Sequence, residues 1–440
     1  MKYYSTNGKA PIADLHKAVV KGLAEDRGLY MPEKINKLPK EFFDNIEKMS
    51  FQEIAYTVAS AFFGEDVDPD ALHDIVYDTL QFDCPVVNVK DNIYTLELFH
   101  GPTLAFKDVG ARFMARLLQY FIKQENNHKE VNVLVATSGD TGSAVANGFL
   151  GVDGIHVYVL YPKGKVSPIQ ECQFTTLGKN ITAIEVDGVF DDCQALVKNA
   201  FMDAELNEHM KLTSANSINV ARFLPQAFYY FNAYARMKEI ANTQHLSPNT
   251  QLVMCVPSGN FGNICAALFG HEMGLPIKRF IAANNANDIF YNYLQTGKYE
   301  PKPSKQTLAN AMDVGDPSNF ARIYDLYGKS HAKITSLISG ATYSDEQIKA
   351  TMRECYKDSG YILDPHGACG YQALKDGLQA GEVGVFCETA HPAKFKEKVD
   401  DILGIDVEIP ERLAAFMRGQ KQSVPKSKDF ADFKDYLMHQ

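Results

Sequence analysis

Hydrophobic and polar positions change rhythm about 130 residues into the chain. Upstream, apolar residues recur at helical spacing over 12–22, 41–48 and 51–63, punctuated by Pro32, Pro39 and Pro69. Downstream, 131–136 is a short, mostly apolar run that ends in Thr137-Ser138-Gly139-Asp140-Thr141-Gly142 and passes into a helix-like stretch over 143–150. That order reads as strand, tight turn, helix. The unit recurs: 156–160 and 181–186 read as strands, and Asp191 is placed to cap a helix in which Cys193, Leu196, Val197, Ala200, Phe201 and Ala204 share one face. Two more strands, 251–256 and 278–283, flank a helix over 263–273, and a late strand falls at 382–387. Near-continuous apolar strands alternating with helices predict a doubly wound α/β architecture whose parallel sheets are covered on both faces.

The segment 219–240 carries Phe223, Phe228, Tyr229, Tyr230, Phe231 and Tyr234, too many aromatics for a solvated helix. It reads as a buried helix, with a subunit-interface helix as the alternative. The polar stretch 242–251 and the Lys/Pro-rich 298–305 are predicted surface loops or boundaries, and 420–428 a polar linker to a short terminal helix. The predicted division is a mainly helical extension over 1–95, a small α/β domain over 96–230 and a large one over 231–440, between which segments can be exchanged.

Composition narrows the function. With 44 Lys+Arg against 54 Asp+Glu in 440 residues the net charge is −10, which speaks against a nucleic-acid partner. At 45% hydrophobic and 22% charged residues the chain is expected to pack a large core rather than stay disordered. The first ten residues lack the apolar core of a secretory signal, and no apolar run is long enough to span a bilayer, so a soluble cytoplasmic protein is expected. Cys84, Cys172, Cys193, Cys255, Cys265, Cys355, Cys369 and Cys387 form no CxxC pair and read as reduced core thiols. No metal site is expected; His271-Glu272 lacks the second histidine of an HExxH pair.

Two turns can hold anions. Pro257-Ser258-Gly259-Asn260-Phe261-Gly262-Asn263 follows a strand and precedes a helix, where glycines admit close backbone approach and helix-terminal amides can wrap a phosphate. Its spacing is neither G-x-G-x-x-G nor a Walker A loop, which weakens a dinucleotide or ATP reading. The 137–142 turn, with Thr137, Ser138, Thr141 and nearby Ser143, offers short hydroxyl donors that suit a carboxylate. Each is also readable as an ordinary strand-to-helix turn, but two in one sheet imply a ligand cleft at the strands' carboxyl ends. Among the lysines, Lys107 sits in the apolar, turn-rich His100-Gly101-Pro102-Thr103-Leu104-Ala105-Phe106-Lys107-Asp108, where a desolvated amine could form a Schiff base.

Taken together, His100 to Asp108, Ser138-Gly139-Asp140-Thr141-Gly142, Asn216-Ser217-Ile218-Asn219, the 258–263 loop and Glu388-Thr389-Ala390-His391-Pro392-Ala393-Lys394-Phe395 resemble the threonine synthase family, in order and over nearly the whole chain. The N-terminal extension resembles that of its longer bacterial and fungal branch. The resemblance implies a fold-type-II pyridoxal 5′-phosphate (PLP) enzyme, similar to the tryptophan synthase β-subunit, that turns O-phospho-L-homoserine and water into L-threonine and phosphate as a monomer or homodimer. It implies that Lys107 bears the cofactor and carries protons, that Gly259, Asn260, Phe261, Gly262 and Asn263 hold the cofactor phosphate, and that Thr389 lies at the pyridine nitrogen. It further implies Ser138, Asp140 and Thr141 at the substrate carboxylate or the cofactor's 3′-oxygen, and Asn216, Ser217 and Arg222 at the substrate phosphate. Lys163 or Lys165 could assist. His366 and His391, each beside a proline, read as structural or orienting. A dehydratase fits less well, because the turn is Ser-Gly-Asp-Thr-Gly rather than Ser-Gly-Asn-His. A phospholyase giving a keto acid would share almost every motif, and a non-catalytic phosphometabolite-binding protein would retain both anion loops.

Overall fold

Apolar runs flanked by turn formers become strands shielded on both faces: every residue of Val131–Ala136 and of Glu382–Glu388 is buried. The computed structural model describes residues 1–440 except His128, His245 and Pro248. The chain divides into two units, each with its own sheet.

One unit comprises Met1, Met31–Phe106 and Phe223–Glu408. Its six strands lie in the order Ile338–Thr342, Arg279–Asn284, Gln251–Pro257, Glu382–Glu388, Ile93–Glu97, Val86–Lys90. The first five are parallel and Val86–Lys90 closes the edge antiparallel. Adjacent central strands, with Cys255 opposite Phe386, therefore release their following loops side by side. The other unit comprises Lys2–Tyr30, Lys107–Arg222 and Ile409–Gln440. The five strands of its larger sheet are all parallel, in the order Val424–Ser427, Ile181–Asp187, Ile155–Pro162, Val131–Ala136, Lys211–Ser214. The predicted α/β class is therefore observed, and the predicted strands lie within a residue or two of their predicted ends.

Four details differ from expectation. The 420–428 segment is more than a linker, since Val424–Ser427 adds an edge strand parallel to Ile181–Asp187; its polar composition suits an edge, where one side of the backbone stays solvated. The helix Phe190–Met202 is entered from Val189, whose N–H donates to Asp192 at 2.8 Å, so Asp192 rather than Asp191 serves its first turn. The aromatic segment is buried as the core reading requires, but Pro225 divides it into Val220–Phe223, a 3₁₀ turn at Leu224–Gln226, and Ala227–Gln244. Within 1–95, the helices share the chain with the antiparallel pair Lys2–Ser5 and Ala13–Asp14.

All eight cysteines are free, and seven are buried. Burial pushes the Cys193, Cys265 and Cys387 thiols up to about 12 and that of Cys355 to about 11, so these side chains stay protonated and behave as small apolar groups. Among the described residues, no helix is long and apolar enough to cross a membrane.

The terminal helix Phe430–Met438 sets Phe433 and Leu437 among Leu134, Tyr158, Leu160, Ile184 and Val186. Phe433→Ala is expected to destabilise this unit by about 3–5 kcal/mol, the usual cost of emptying a phenylalanine site, seen as a lower urea midpoint for its transition. An unchanged midpoint would show that the C-terminal segment is not part of the core.

Candidate active site

The 258–263 loop leaves the central strand Gln251–Pro257 and spends its side chains on its own shape. Asn263 Oδ1 accepts from Ser258 Oγ (2.9 Å) and from the Ile264 N–H (2.8 Å), while its Nδ2 donates to the Pro257 carbonyl (2.9 Å). Asn260 is clasped from 318–319: its Oδ1 accepts the Ser318 N–H at 2.7 Å and its carbonyl accepts Asn319 Nδ2 at 3.1 Å. Gly259 is a close approach, since a Cβ there would stand 2.7 Å from the Ala311 carbonyl oxygen and 2.9 Å from Met312 Cα. Phe261, at φ +66°, turns the chain into the helix Gly262–Glu272 and stacks obliquely on Phe290, 4.6 Å between ring centroids. Its apolar side chain cannot cap the helix, so what the loop presents is main chain at a helix N-terminus.

Beside it, the strand Glu382–Glu388 ends at Thr389, which is 6% exposed. The preceding arm of the His100 to Asp108 motif pairs with this loop. Phe106 donates its N–H to the Thr389 carbonyl (2.8 Å), His391 donates its N–H to the Leu104 carbonyl (3.0 Å), and Ala105 bridges Ala390 in antiparallel sense. Leu104 is at φ +61° and is buried with Ala105. His391 Nδ1 accepts the Ala393 N–H at 3.0 Å, capping the turn Pro392–Phe395, which is an orienting role.

Lys107 follows Phe106 directly and opens the helix Lys107–Gln124 in the other unit. Two further predicted elements meet that helix. Arg222, 2% exposed, donates from Nε to the Ala215 carbonyl at 2.8 Å, next to half-buried Asn216 and Ser217. It lies against the helix's first turn, where a Cβ on Gly110 would stand 2.3 Å from the Arg222 carbonyl oxygen and 3.1 Å from Nη1. The helix Asp140–Phe149, entered through the 137–142 turn, crosses the same helix at Gly148, whose Cβ would lie 3.0 Å from the Ala111 carbonyl carbon. Lys107, Arg222 and the hydroxyl-rich turn thus belong to one packed group of elements.

Within that turn the hydroxyls divide. Thr137 Oγ1 accepts the Gly139 and Gly142 N–H groups (2.9 and 2.8 Å), and Ser143 Oγ donates to the Gly139 carbonyl (2.9 Å), so both shape the loop. Asp140 accepts from Gln170 Nε2 at 3.1 Å, and Ser138 and Thr141 are half-buried. Gly139, at φ +146°, holds a backbone conformation that residues with a side chain rarely adopt. Lys163 and Lys165 are exposed.

Residues 82–387 match the model of the pyridoxal-phosphate dependent enzyme family, 2–80 that of the threonine synthase N terminus, and 367–437 that of the threonine synthase C-terminal region. The chain is 44% identical to threonine synthase of Serratia marcescens over 440 residues, 100% of this chain and 99% of that one. It belongs to the threonine synthase family. The crystal structure of the Escherichia coli threonine synthase superposes with a TM-score of 0.92 at 43% identity, covering 100% of both chains. That of a PLP-bound threonine synthase from Brucella melitensis superposes with a TM-score of 0.91 at 34% identity, covering 100% of this chain and 99% of that one. The fold is accordingly that of fold-type-II PLP enzymes, and the activity PLP-dependent. The residues present fit the cofactor: a loop packed so closely on Ala311 and Met312 that Gly259 carries no Cβ presents main chain suited to its phosphate, and Lys107 follows Phe106, whose N–H donates to the Thr389 carbonyl.

Sequence reasoning on threonine synthase motifs passed over three groups. Gln170, which holds Asp140, carries no local signal. The clasp 311–319 is irregular and polar, without periodicity to mark it. Glu388 and Asp364 lie near Thr389 and His366, and a carboxylate closing the apolar run 383–387 is the available clue. If Gly110 is what lets Arg222 reach the first turn of the Lys107 helix, Gly110→Ala should lower turnover at least tenfold, ~1.4 kcal/mol of barrier. Steady-state kinetics alongside a thermal melt checks this; unaltered turnover would show that the approach is not needed.

Proposed function

We propose that this chain converts O-phospho-L-homoserine and water into L-threonine and phosphate, with Lys107 as the cofactor-bearing residue. What carries the reading is the pairing of 104–106 with 389–391, which delivers Lys107 from a peptide hydrogen-bonded to Thr389, in a chain matched end to end by threonine synthases. Gly259, Asn260, Phe261, Gly262 and Asn263 hold the cofactor phosphate through main-chain amides, a reading supported by the internal use of the Asn260 and Asn263 side chains. Thr389 serves the ring nitrogen as a neutral hydroxyl partner, which stabilises a protonated ring less than a carboxylate would and favours elimination over transamination.

Pyridoxal phosphate supplies the electron sink for charge at the substrate's Cα and Cβ. Ser138, Asp140 and Thr141 fix the end of the substrate that bears its carboxylate. Lys107 removes the α-proton and later returns protons to the substrate. Asn216, Ser217 and Arg222 hold the substrate phosphate, with the Arg222 guanidinium aimed by the Ala215 carbonyl. A β-proton also leaves, the Cγ–O bond breaks with its electron pair leaving on phosphate, Cγ takes up a proton, and the oxygen of water bonds to Cβ as that water gives up a proton. Held close to Cβ, the departing phosphate can serve as a local base. Because the whole chain carries a net charge of −10, its affinity for anions is local, from amides and Arg222, rather than from a general positive field. The expected setting is the cytoplasm.

Incubation with O-phosphohomoserine and PLP, followed by assay of threonine, keto acid and phosphate, tests the reaction. Threonine and phosphate are expected in equal amounts. A keto acid without threonine would identify a phospholyase, and binding without turnover a phosphometabolite-binding protein; either overturns the proposal. Arg222→Met is expected to lower kcat/KM by roughly 10- to 100-fold, the ~1.5–3 kcal/mol of charge-assisted hydrogen bonds, whereas Lys163→Ala, at an exposed site, leaves it unchanged. Equal effects of the two would remove Arg222 from the phosphate site.

A further inference from the structure

The end of the strand Glu382–Glu388 is buried against the N-terminus of the helix Pro365–Gly377, and the acidic groups there take no part in the reaction described above. Asp364 caps the helix: Oδ1 accepts the Gly367 N–H at 2.8 Å and Oδ2 the His366 N–H at 3.3 Å. Oδ2 also meets His366 Nδ1 at 2.5 Å, while His366 Nε2 accepts the Ala311 N–H at 3.1 Å. A ring that accepts at Nε2 carries its hydrogen on Nδ1, so His366 connects Asp364 to the main chain at 311. Ala311 in turn backs the anion loop, its carbonyl oxygen occupying the space of a Gly259 Cβ. In the opposite direction Glu388 Oε1 accepts the Asp364 N–H at 2.8 Å, and Oε2 lies so close to Gly367 that a Cβ there would stand 1.8 Å away. Asp364 and Glu388 are fully buried and His366 is 2% exposed.

We propose that Glu388, as the uncharged acid, and Asp364, as the carboxylate, form with His366 a buried relay that positions both ends of the cofactor cradle, Thr389 and Gly259. Glu388 is covalently joined to Thr389, and His366 reaches the segment against which Gly259 rests, so one chain of hydrogen bonds fixes the two together. Two adjacent ionised carboxylates in a dry site repel each other and lose their hydration, whereas a single charge met by a ring N–H and two amides is satisfied. Other titratable groups face the cluster: Glu97 on the strand Ile93–Glu97 and Tyr361, which donates to Glu97 at 2.6 Å, lie toward Glu388, and Asp313 faces His366. Burial, and then the Asp364 charge, push the Glu388 carboxyl well above the ordinary range. Burial also works against the Asp364 charge, but the His366 ring and the Gly367 amide outweigh it and hold that carboxyl low. Asp364, His366 and Glu388 are thus positioning residues; none is assigned contact with the reacting atoms.

The proposal rests on reading 259–263 and Thr389 as cofactor-holding residues, and its test separates the two. Apoprotein is titrated with PLP and the dissociation constant read from cofactor absorbance. Glu388→Gln, uncharged and of the same shape, is expected to bind within about twofold of the wild type, under ~0.5 kcal/mol. Glu388→Ala, and His366→Leu, which strands the Ala311 N–H without touching Glu388, are expected to weaken binding about tenfold, ~1.4 kcal/mol. Glu388→Gln as damaging as Glu388→Ala would show that Glu388 is ionised and overturn the proposal, as would full affinity in both Glu388→Ala and His366→Leu. If Glu388→Ala does not fold, His366→Leu alone decides. Gly259→Ala and Thr389→Val probe the cradle itself: full PLP affinity in both would overturn the underlying reading, whereas weakening in these two alone would overturn only the relay.

Discussion

A single main-chain hydrogen bond, from the Phe106 N–H to the Thr389 carbonyl, anchors what the rest of the site depends on. It ties the arm that ends at Phe106 to the loop leaving a central strand, so the peptide that precedes Lys107 is held by backbone rather than by side-chain rotamers. The arm accepts strain to do so. Leu104 adopts a left-handed conformation that costs roughly 1 kcal/mol for a residue with a Cβ, and it persists because its N–H, its carbonyl and its buried side chain are all engaged. In the proposed reaction, an amine whose preceding peptide is so held would begin each cycle from a fixed backbone, a geometric aid to proton transfer at a defined atom.

The same economy governs the anion sites. Asn263, Asn260, Thr137 and Ser143 are the residues that sequence reasoning would send toward ligands, yet most of their polar atoms are bound within their own loops. These side chains shape the turns that lead into the helices Asp140–Phe149 and Gly262–Glu272. On the proposed reading, an acidic protein holds phosphate through a few oriented dipoles and a buried arginine, over distances shorter than those at which the net charge acts.

Much of this was legible in the sequence because it rests on local rules. Continuous apolar runs closed by turn formers located the central strands, and glycines at 139, 142, 259 and 262 marked the tight turns. The less legible parts depend on contacts made far along the chain. Val424–Ser427 gains its strand character from pairing with Ile181–Asp187, which nothing in its polar composition announces. The 311–319 clasp matters only because Gly259 lies beneath it. Glu388 stands in a motif read for its neighbour Thr389, and its protonation depends on Asp364, twenty-four positions away. Pro225 was visible, yet the break it imposes was outweighed by the aromatic run on either side.

The central claim is that Lys107, and no other lysine, bears the cofactor. Reducing the PLP-loaded protein with borohydride fixes the cofactor to its lysine as a stable amine, and peptide mapping by mass spectrometry then reads the position. The account predicts the phosphopyridoxyl group on Lys107; finding it on another lysine, the fully buried Lys394 included, or on none, would contradict it.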